Sequence, residues 1–198
     1  MKYDLLEKYN IPFAPYKIVK TEEELLKFAK RYKYPLVLKV QRADIGHKSD
    51  VGGVILDNWD KHTLLSSFRL LKSRFDSKIM VQKQITKGIE LFAGIKKDKS
   101  FGYILMFGLG GLYVEVFKDI TARICPITKA DVLNMINELE SKKIILGYRG
   151  KKVNINKLAR MIVNLCKLAQ NENIKEVEIN PIKACDKNVV AVDFKVIK

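Results

Sequence analysis

Residues 79–124 read IMVQKQITKGIELFAGIKKDKSFGYILMFGLGGLYVEVFKDITARI, and this stretch decides the fold. It holds five β-rich runs in succession: Ile79–Gln84, Ile89–Lys96, Phe101–Phe107, Tyr113–Phe117 and Ile120–Ile124. Only short polar or glycine-rich turns such as Lys87-Gly88 separate them. A parallel crossover needs a dozen or more residues, so the neighbours from Ile89 onward are expected to pair antiparallel. Before this stretch, Asp4–Tyr9 reads as a short helix ended by Asn10 and Pro12. Thr21-Glu22-Glu23-Glu24 is a capping box that opens a helix to about Tyr32, with the Thr21 hydroxyl taking the Glu24 amide while Glu24 reaches back. Leu36–Val40 and Val54–Leu56 are strands flanking a polar loop from Gln41 to Gly53, and Asp60 caps a helix to about Phe75. After the stretch, helices follow from Thr128 to about Leu139 and from Asn154 to about Ala169, and a hairpin of Ile174–Ile182 with Val189–Val196 closes the chain. Helices mixed with adjacent antiparallel strands argue for an α+β fold with two lobes, 1–84 and 85–198, enclosing one cleft.

Bulk properties exclude several classes. Of the 198 residues, 47% are hydrophobic and 30% charged, a globular composition without a disordered tail. The longest apolar runs, Tyr103–Phe107 and Val189–Val192, are far too short to span a bilayer. The chain opens on Met1-Lys2-Tyr3-Asp4 without an apolar signal segment, so a cytoplasmic location is expected. Cys125, Cys166 and Cys185 are scattered and have no metal-ligand spacing, so they read as buried or incidental thiols rather than a disulfide scaffold. The net charge of +15 raises nucleic acid as a partner. However, the Lys and Arg are interleaved with acids and form no long basic block, which argues against nucleic acid and fits a solvated surface with a site for polyphosphate.

Four features carry chemistry. Lys39 interrupts an apolar strand, where an unpaired ammonium is costly; it either snorkels at a strand edge or holds phosphate oxygens. The loop Ala43-Asp44-Ile45-Gly46-His47-Lys48-Ser49-Asp50-Val51-Gly52-Gly53 places one of only two histidines among glycines that let backbone amides approach phosphates. A loop histidine is commonly just solvated, which is the reading for His62, but an imidazole is also a good nucleophile toward phosphorus and a good leaving group from it. Gly108-Leu109-Gly110-Gly111 is either a tight turn or a weak phosphate motif, with no helix after it. On the closing hairpin, the two-residue period puts Glu176, Glu178 and Asn180 on one face with Val177 and Ile179 toward the core, and Val190, Val192, Phe194 and Val196 on one face with Ala191, Asp193 and Lys195 opposite. A turn centred on Asp186-Lys187 sets Asn180 opposite Asp193, β-carbons about 4.5–5.5 Å apart. An amide oxygen beside a carboxylate suits Mg²⁺, though it also describes an ordinary solvated pair. Glu178, one step away, could orient a protonated imidazole.

Taken in order, Tyr34-Pro35-Leu36-Val37-Leu38-Lys39, His47-Lys48-Ser49-Asp50-Val51-Gly52-Gly53-Val54, Phe101–Asp119, Gly147-Tyr148-Arg149-Gly150 and Glu178-Ile179-Asn180-Pro181 resemble the β subunits of ADP-forming acetyl-CoA synthetases, within the ATP-grasp superfamily. The resemblance covers nearly the whole chain, and the His-Lys-Ser-Asp-Val-Gly-Gly segment is its most specific part. It implies an ATP-grasp fold and a relay in which acyl-CoA and phosphate react in a CoA-binding α subunit, whose histidine takes the phosphoryl group. The group then passes to His47, and His47 delivers it to ADP. It further implies that Lys39 and Glu90 contact the nucleotide, that Val81-Gln82-Lys83-Gln84 lies along the adenine, and that Gly110 and Gly111 line the cleft. Asn180 and Asp193 would hold Mg²⁺, Glu178 would steady the phosphohistidine, and the assembly would be an α2β2 heterotetramer. Phe194 stands where the family tends to have a small residue. Two other readings remain open: a carboxylate–amine ligase of the same superfamily, which needs no loop histidine, and a non-catalytic nucleotide-binding regulatory module.

Overall fold

The computed structural model describes residues 3–42, 51–111, 118–148 and 152–198. The chain divides into two compact units, and the division falls between Ile85 and Thr86.

The smaller unit, Ala14–Ile85, is a four-stranded antiparallel sheet with two helices on one face. Its strands are β1 (Tyr16–Val19), β2 (Leu36–Gln41), β3 (Val54–Asn58) and β4 (Lys78–Lys83), in the order β1-β4-β2-β3. Leu36, Leu38 and Val40 alternate with Ile79 and Val81 toward α2 (Glu22–Tyr32) and α3 (Lys61–Arg74), whose Leu25, Phe28, Leu64, Phe68 and Leu71 complete the core. Each such side chain contributes about 1.5–3 kcal/mol of burial. The opposite face of β2 and β4 carries Val37, Lys39, Met80 and Gln82, which are buried as well. Both helices start where side-chain caps are available. Asp60 and Thr63 form a reciprocal box, the Thr63 N–H donating to Asp60 Oδ1 at 2.8 Å. At α2 the Glu24 N–H donates to Thr21 Oγ1 at 3.2 Å, but the Glu24 carboxylate accepts from the Lys20 N–H at 2.8 Å instead of closing on Thr21.

The larger unit holds Thr86–Lys198 together with the start of the chain up to Phe13. The reason is contact: Phe13 bridges Ala191, the Ala191 N–H donates to Pro12 O, and the Tyr3 ring stacks at 5.1 Å on Phe13. The unit contains α1 (Asp4–Lys8), β5 (Ile89–Asp98), β6 (Gly102–Leu109), β7 (Ile120–Ile124), α4 (Lys129–Glu138), α5 (Lys142–Gly147), α6 (Ile155–Asn171), β8 (Glu176–Ala184), β9 (Val189–Ala191) and β10 (Phe194–Ile197). The sheet runs β10-β8-β5-β6-β7, with β9 also on β8, and every pairing in it is antiparallel. Amphipathic α6 buries Leu158, Met161, Ile162, Leu165 and Leu168, among others, and packs against β5, β6, β8 and β9. Leu91, Ala93 and Ile95 of β5 form part of the buried face, which leaves Glu90, Phe92, Gly94 and Lys96 on the other.

One expectation changes here. Cys125 and Cys166 are buried and joined by a disulfide, because the end of β7 and the middle of α6 come together with α-carbons 5.9 Å apart; Cys185 alone is a free thiol. The expected strand Tyr113–Phe117 lies outside the described residues. No helix among the described residues is long and apolar enough to cross a membrane.

Candidate functional site

The closing hairpin has the register its turn implies. Ile182 pairs with Ala191 and Ala184 with Val189 on one side of the break, and Ile179 with Phe194 and Glu178 with Lys195 on the other. Asn180 and Asp193 fall opposite each other in the interval between these ladders. The N-terminus of α6 braces the turn: the Asn154 N–H donates to Cys185 O at 3.1 Å, and Lys157 Nζ reaches Lys187 O at 2.6 Å.

The faces differ from a simple two-residue alternation. Along β8 the buried residues are Val177, Ile179, Ile182 and Ala184, so the period slips between 179 and 182. Across the sheet, Leu91 pairs with Ile182 but Ala93 with Ile179, so Asn180 and Pro181 together face the single residue Phe92. This is a β-bulge, a device that re-aims side chains. Pro181 cannot donate to the ladder, and although the Val192 N–H still reaches Pro181 O at 3.1 Å, regular pairing stops. The partner strand slips too. Val189 and Ala191 are buried before the break and Phe194 after it, which corrects the expected face of Val190 and Val192: both are only half-buried. Phe194, unusual for its position, sits in the core at 1% exposure.

Around the bulge, side chains converge. Asn180 Oδ1 accepts the Gly111 N–H at 3.0 Å. The Gly110 N–H donates to Glu90 O at 2.9 Å, and Lys183 Nζ pairs with Glu90 Oε1 at 2.8 Å. Gly111 has φ +63, and a β-carbon there would run into Glu90 Oε2, so only glycine lets that carboxylate lie against the turn. Asp193 Oδ1 accepts the Phe194 N–H at 2.9 Å, leaving its second oxygen without a partner among the described residues. Glu178 lies on the same side of the sheet, lining a 230 Å³ cavity with Phe92, Gly94, Lys96, Met106 and Glu176. The donor set of one amide oxygen and one carboxylate oxygen is hard and sparse. That fits Mg²⁺, which takes one or two protein oxygens and leaves the rest to phosphates and water.

The smaller unit holds the other expected residues. Lys39 is buried at 6% exposure, with its α-carbon paired to Met80 and Val54. Gln82 is fully buried, and neither atom of its side-chain amide has a hydrogen-bond partner among the described residues. Buried polar groups are nearly always satisfied, so this amide has capacity for a ligand. Lys83 and Gln84 are engaged inside the unit. Lys83 Nζ donates to Tyr34 O at 2.7 Å, and burial lowers its pKa from the ordinary lysine value. Gln84 makes a two-way bond with Asp57, its amide donating to Oδ1 at 2.7 Å and its oxygen accepting the Asp57 N–H at 2.8 Å. Gly52 has φ +68 and lies under the Arg74 guanidinium, and Gly53 O accepts the Val40 N–H. His47 lies outside the described residues, as do Lys48, Ser49 and Asp50 from the same segment and Arg149 and Gly150 from the Gly-Tyr-Arg-Gly motif.

Sequence reasoning missed Lys183. Its position opposite Glu90 follows from the β5–β8 pairing, which joins strands some ninety residues apart, as in Glu90 with Lys183, and leaves no local signal. Pro181 inside a strand was the available hint of the bulge.

Residues 2–197 match the ATP-grasp domain family. The chain is 38% identical to the β subunit of acetate–CoA ligase [ADP-forming] I of Pyrococcus furiosus, over 98% of this chain and 88% of that one. It is 36% identical to acetate–CoA ligase [ADP-forming] II of Archaeoglobus fulgidus, but spans only 29% of that longer protein's length. Among solved structures, acetyl-coenzyme A synthetase 1 of Ca. Korarchaeum cryptofilum superposes with a TM-score of 0.86 at 32% identity, covering 99% of this chain and 89% of that one. It was solved with coenzyme A and Mg-AMPPCP, its phosphohistidine segment pointing towards the nucleotide binding site.

Proposed function

We propose, because this chain belongs to the ATP-grasp family and within it to the β subunits of ADP-forming acetate–CoA ligases, that it is the nucleotide-binding, phosphate-carrying part of such a ligase. The overall reaction is acyl-CoA + ADP + phosphate to acid + CoA + ATP. The observation that carries this reading is the convergence of Glu90, Gly110, Gly111 and Asn180 at the β8 bulge, opposite Asp193.

In this reading a CoA-binding α region forms the acyl phosphate and takes its phosphoryl group onto a histidine. His47 then attacks that phosphorus, the first histidine leaves, and the β-phosphate oxygen of ADP finally displaces His47 to give ATP. Imidazole suits both steps because it is both nucleophile and leaving group. Glu178 steadies the phosphorylated ring by accepting its N–H. Lys39 is a fixed cation for phosphate oxygens, the backbone at Gly52 and Gly53 approaches the phosphates, and Glu90 contacts the nucleotide, as do Gly110 and Gly111 by their main chain. Val81–Gln84 runs along the base, with the unsatisfied Gln82 amide as a group able to meet a base edge, and with Lys83 and Gln84 shaping the strand through their own contacts. Asn180 and Asp193 would hold Mg²⁺, which would supply positive charge to offset that of the phosphates. The α region is a second subunit in an α2β2 assembly, or the remainder of a longer chain as in the Archaeoglobus relative, and the reaction belongs in the cytoplasm, where its nucleotide substrates are. The protein should bind Mg·ADP by itself but form ATP from acetyl-CoA and phosphate only when an α subunit is supplied; robust turnover by these 198 residues unaided would overturn this division of labour.

A further inference from the structure

We propose that Lys183 is a positioning residue for nucleotide and metal: it holds Glu90 against the Gly110–Gly111 turn and, through that turn, sets the aim of Asn180. The inference rests on the nucleotide-and-magnesium reading above and adds to it a residue that the sequence motifs do not include.

The path is continuous. The β5–β8 register puts Lys183 directly across from Glu90, and Lys183 Nζ reaches Glu90 Oε1 at 2.8 Å. The two side chains are 19% and 34% exposed, so water screens the pair only in part. The other Glu90 oxygen occupies the space that a side chain at Gly111 would take, and Glu90 O accepts the Gly110 N–H at 2.9 Å. The Gly111 N–H then donates to Asn180 Oδ1 at 3.0 Å. Both ends of the turn are therefore tied, one to Glu90 and one to Asn180, and Lys183 is the group that fixes the Glu90 carboxylate.

Charge explains why a cation is needed there. This side of the sheet carries Glu90, Glu176 and Glu178 together with Lys96, which stands in register with Glu176, so Lys183 is the ammonium placed at Glu90. A polyphosphate approaching it meets repulsion unless the carboxylates are neutralised, and a charge-assisted pair with lysine does this while leaving Glu90 Oε2 available as an acceptor. Without the ammonium, the carboxylate is free to turn toward water, and the space beside Gly111 opens. The turn then loses the constraint that aims Asn180. The nucleotide contact and the metal ligand are thus coupled through one glycine turn, and binding either should favour the other.

The test is calorimetric titration of ADP into the full chain at a series of Mg²⁺ concentrations. Wild-type affinity should rise with Mg²⁺. Lys183→Met should weaken ADP binding about tenfold at saturating Mg²⁺, the scale of a lost charged hydrogen bond, and should flatten the Mg²⁺ dependence, an effect that mere loss of packing does not produce. Lys183→Arg should retain most of the wild-type behaviour. Glu90→Gln should resemble Lys183→Met, and the double variant should be no weaker than the worse single one, because both act on one path. Circular dichroism and melting temperature accompany each variant; should Lys183→Met fail to fold, Lys183→Gln carries the same expectation. Wild-type chain that binds Mg·ADP while Lys183→Met or Lys183→Gln leaves affinity and Mg²⁺ dependence unchanged would overturn this inference alone. Wild-type chain that binds no ADP would overturn the nucleotide reading and this inference with it.

Discussion

Asn180 and Asp193 sit where the sheet departs from regular pairing, and that placement sets what substitution there should do. Asp193 is half-buried and its only described bond is to the neighbouring Phe194 N–H. Asp193→Ala should therefore leave the melting temperature within a few degrees of wild type while weakening Mg²⁺-dependent ADP binding by roughly 1–3 kcal/mol, the scale of a lost charged ligand contact; unchanged Mg·ADP affinity by calorimetry would reduce the pair to a structural role. Gly111 makes a different prediction. Gly111→Ala combines a left-handed backbone, φ +63, with a collision against Glu90, whereas Gly102→Ala has φ +76 but nothing within 4 Å. Both substitutions should destabilise by about 1 kcal/mol from backbone strain, as read from denaturant midpoints, and only Gly111→Ala should also displace the Glu90 carboxylate and weaken ADP binding. The placement of Asn180 opposite Asp193 was legible in the sequence, because a tight hairpin turn fixes its register locally. Lys183 was not, because its partner Glu90 lies on a strand reached only through the assembled sheet.

Elements with local signals are the ones the sequence exposes. Thr21, Asp60, Thr128 and Asn154 all cap helices as their residue types suggest, each side chain accepting an amide from three residues ahead. The apolar runs within Leu36–Gln41 and Ile89–Asp98 likewise give strands. Short elements without caps or clear period escape: β1 at Tyr16–Val19 depends on pairing with β4, and α5 at Lys142–Gly147 has no side-chain cap. The bulge at Asn180-Pro181 belongs to this class, since it needs β5 alongside to be defined. The helix that supports the site-bearing sheet is α6, and its Leu165 is fully buried. Leu165→Ala should cost about 2–5 kcal/mol of stability by leaving a cavity beneath β5, β6, β8 and β9, with ADP affinity near wild type below the shifted melting transition; a loss under 1 kcal/mol in urea unfolding would mean that α6 repacks freely.

Across the whole molecule, residues 3–13 group with the later unit, which no local signal shows, since this depends on Phe13 meeting Ala191 and on Lys8 and Tyr9 meeting Glu172. The central claim is that this chain carries phosphate on His47 and exchanges it with a nucleotide. It is tested most directly by incubating the purified protein, without any α subunit, with Mg²⁺ and ATP labelled in the γ-phosphate. The back reaction needs only the nucleotide site, so a phosphoryl adduct should form that is labile in acid and stable in alkali, as phosphoramidates are, and mass spectrometry should map it to His47. His47→Ala should abolish the label and slow turnover of the reconstituted enzyme by three or more decades, roughly 4 kcal/mol of barrier, while His62→Ala keeps both. Label on another residue, or a His47→Ala variant that still turns over, would contradict the relay.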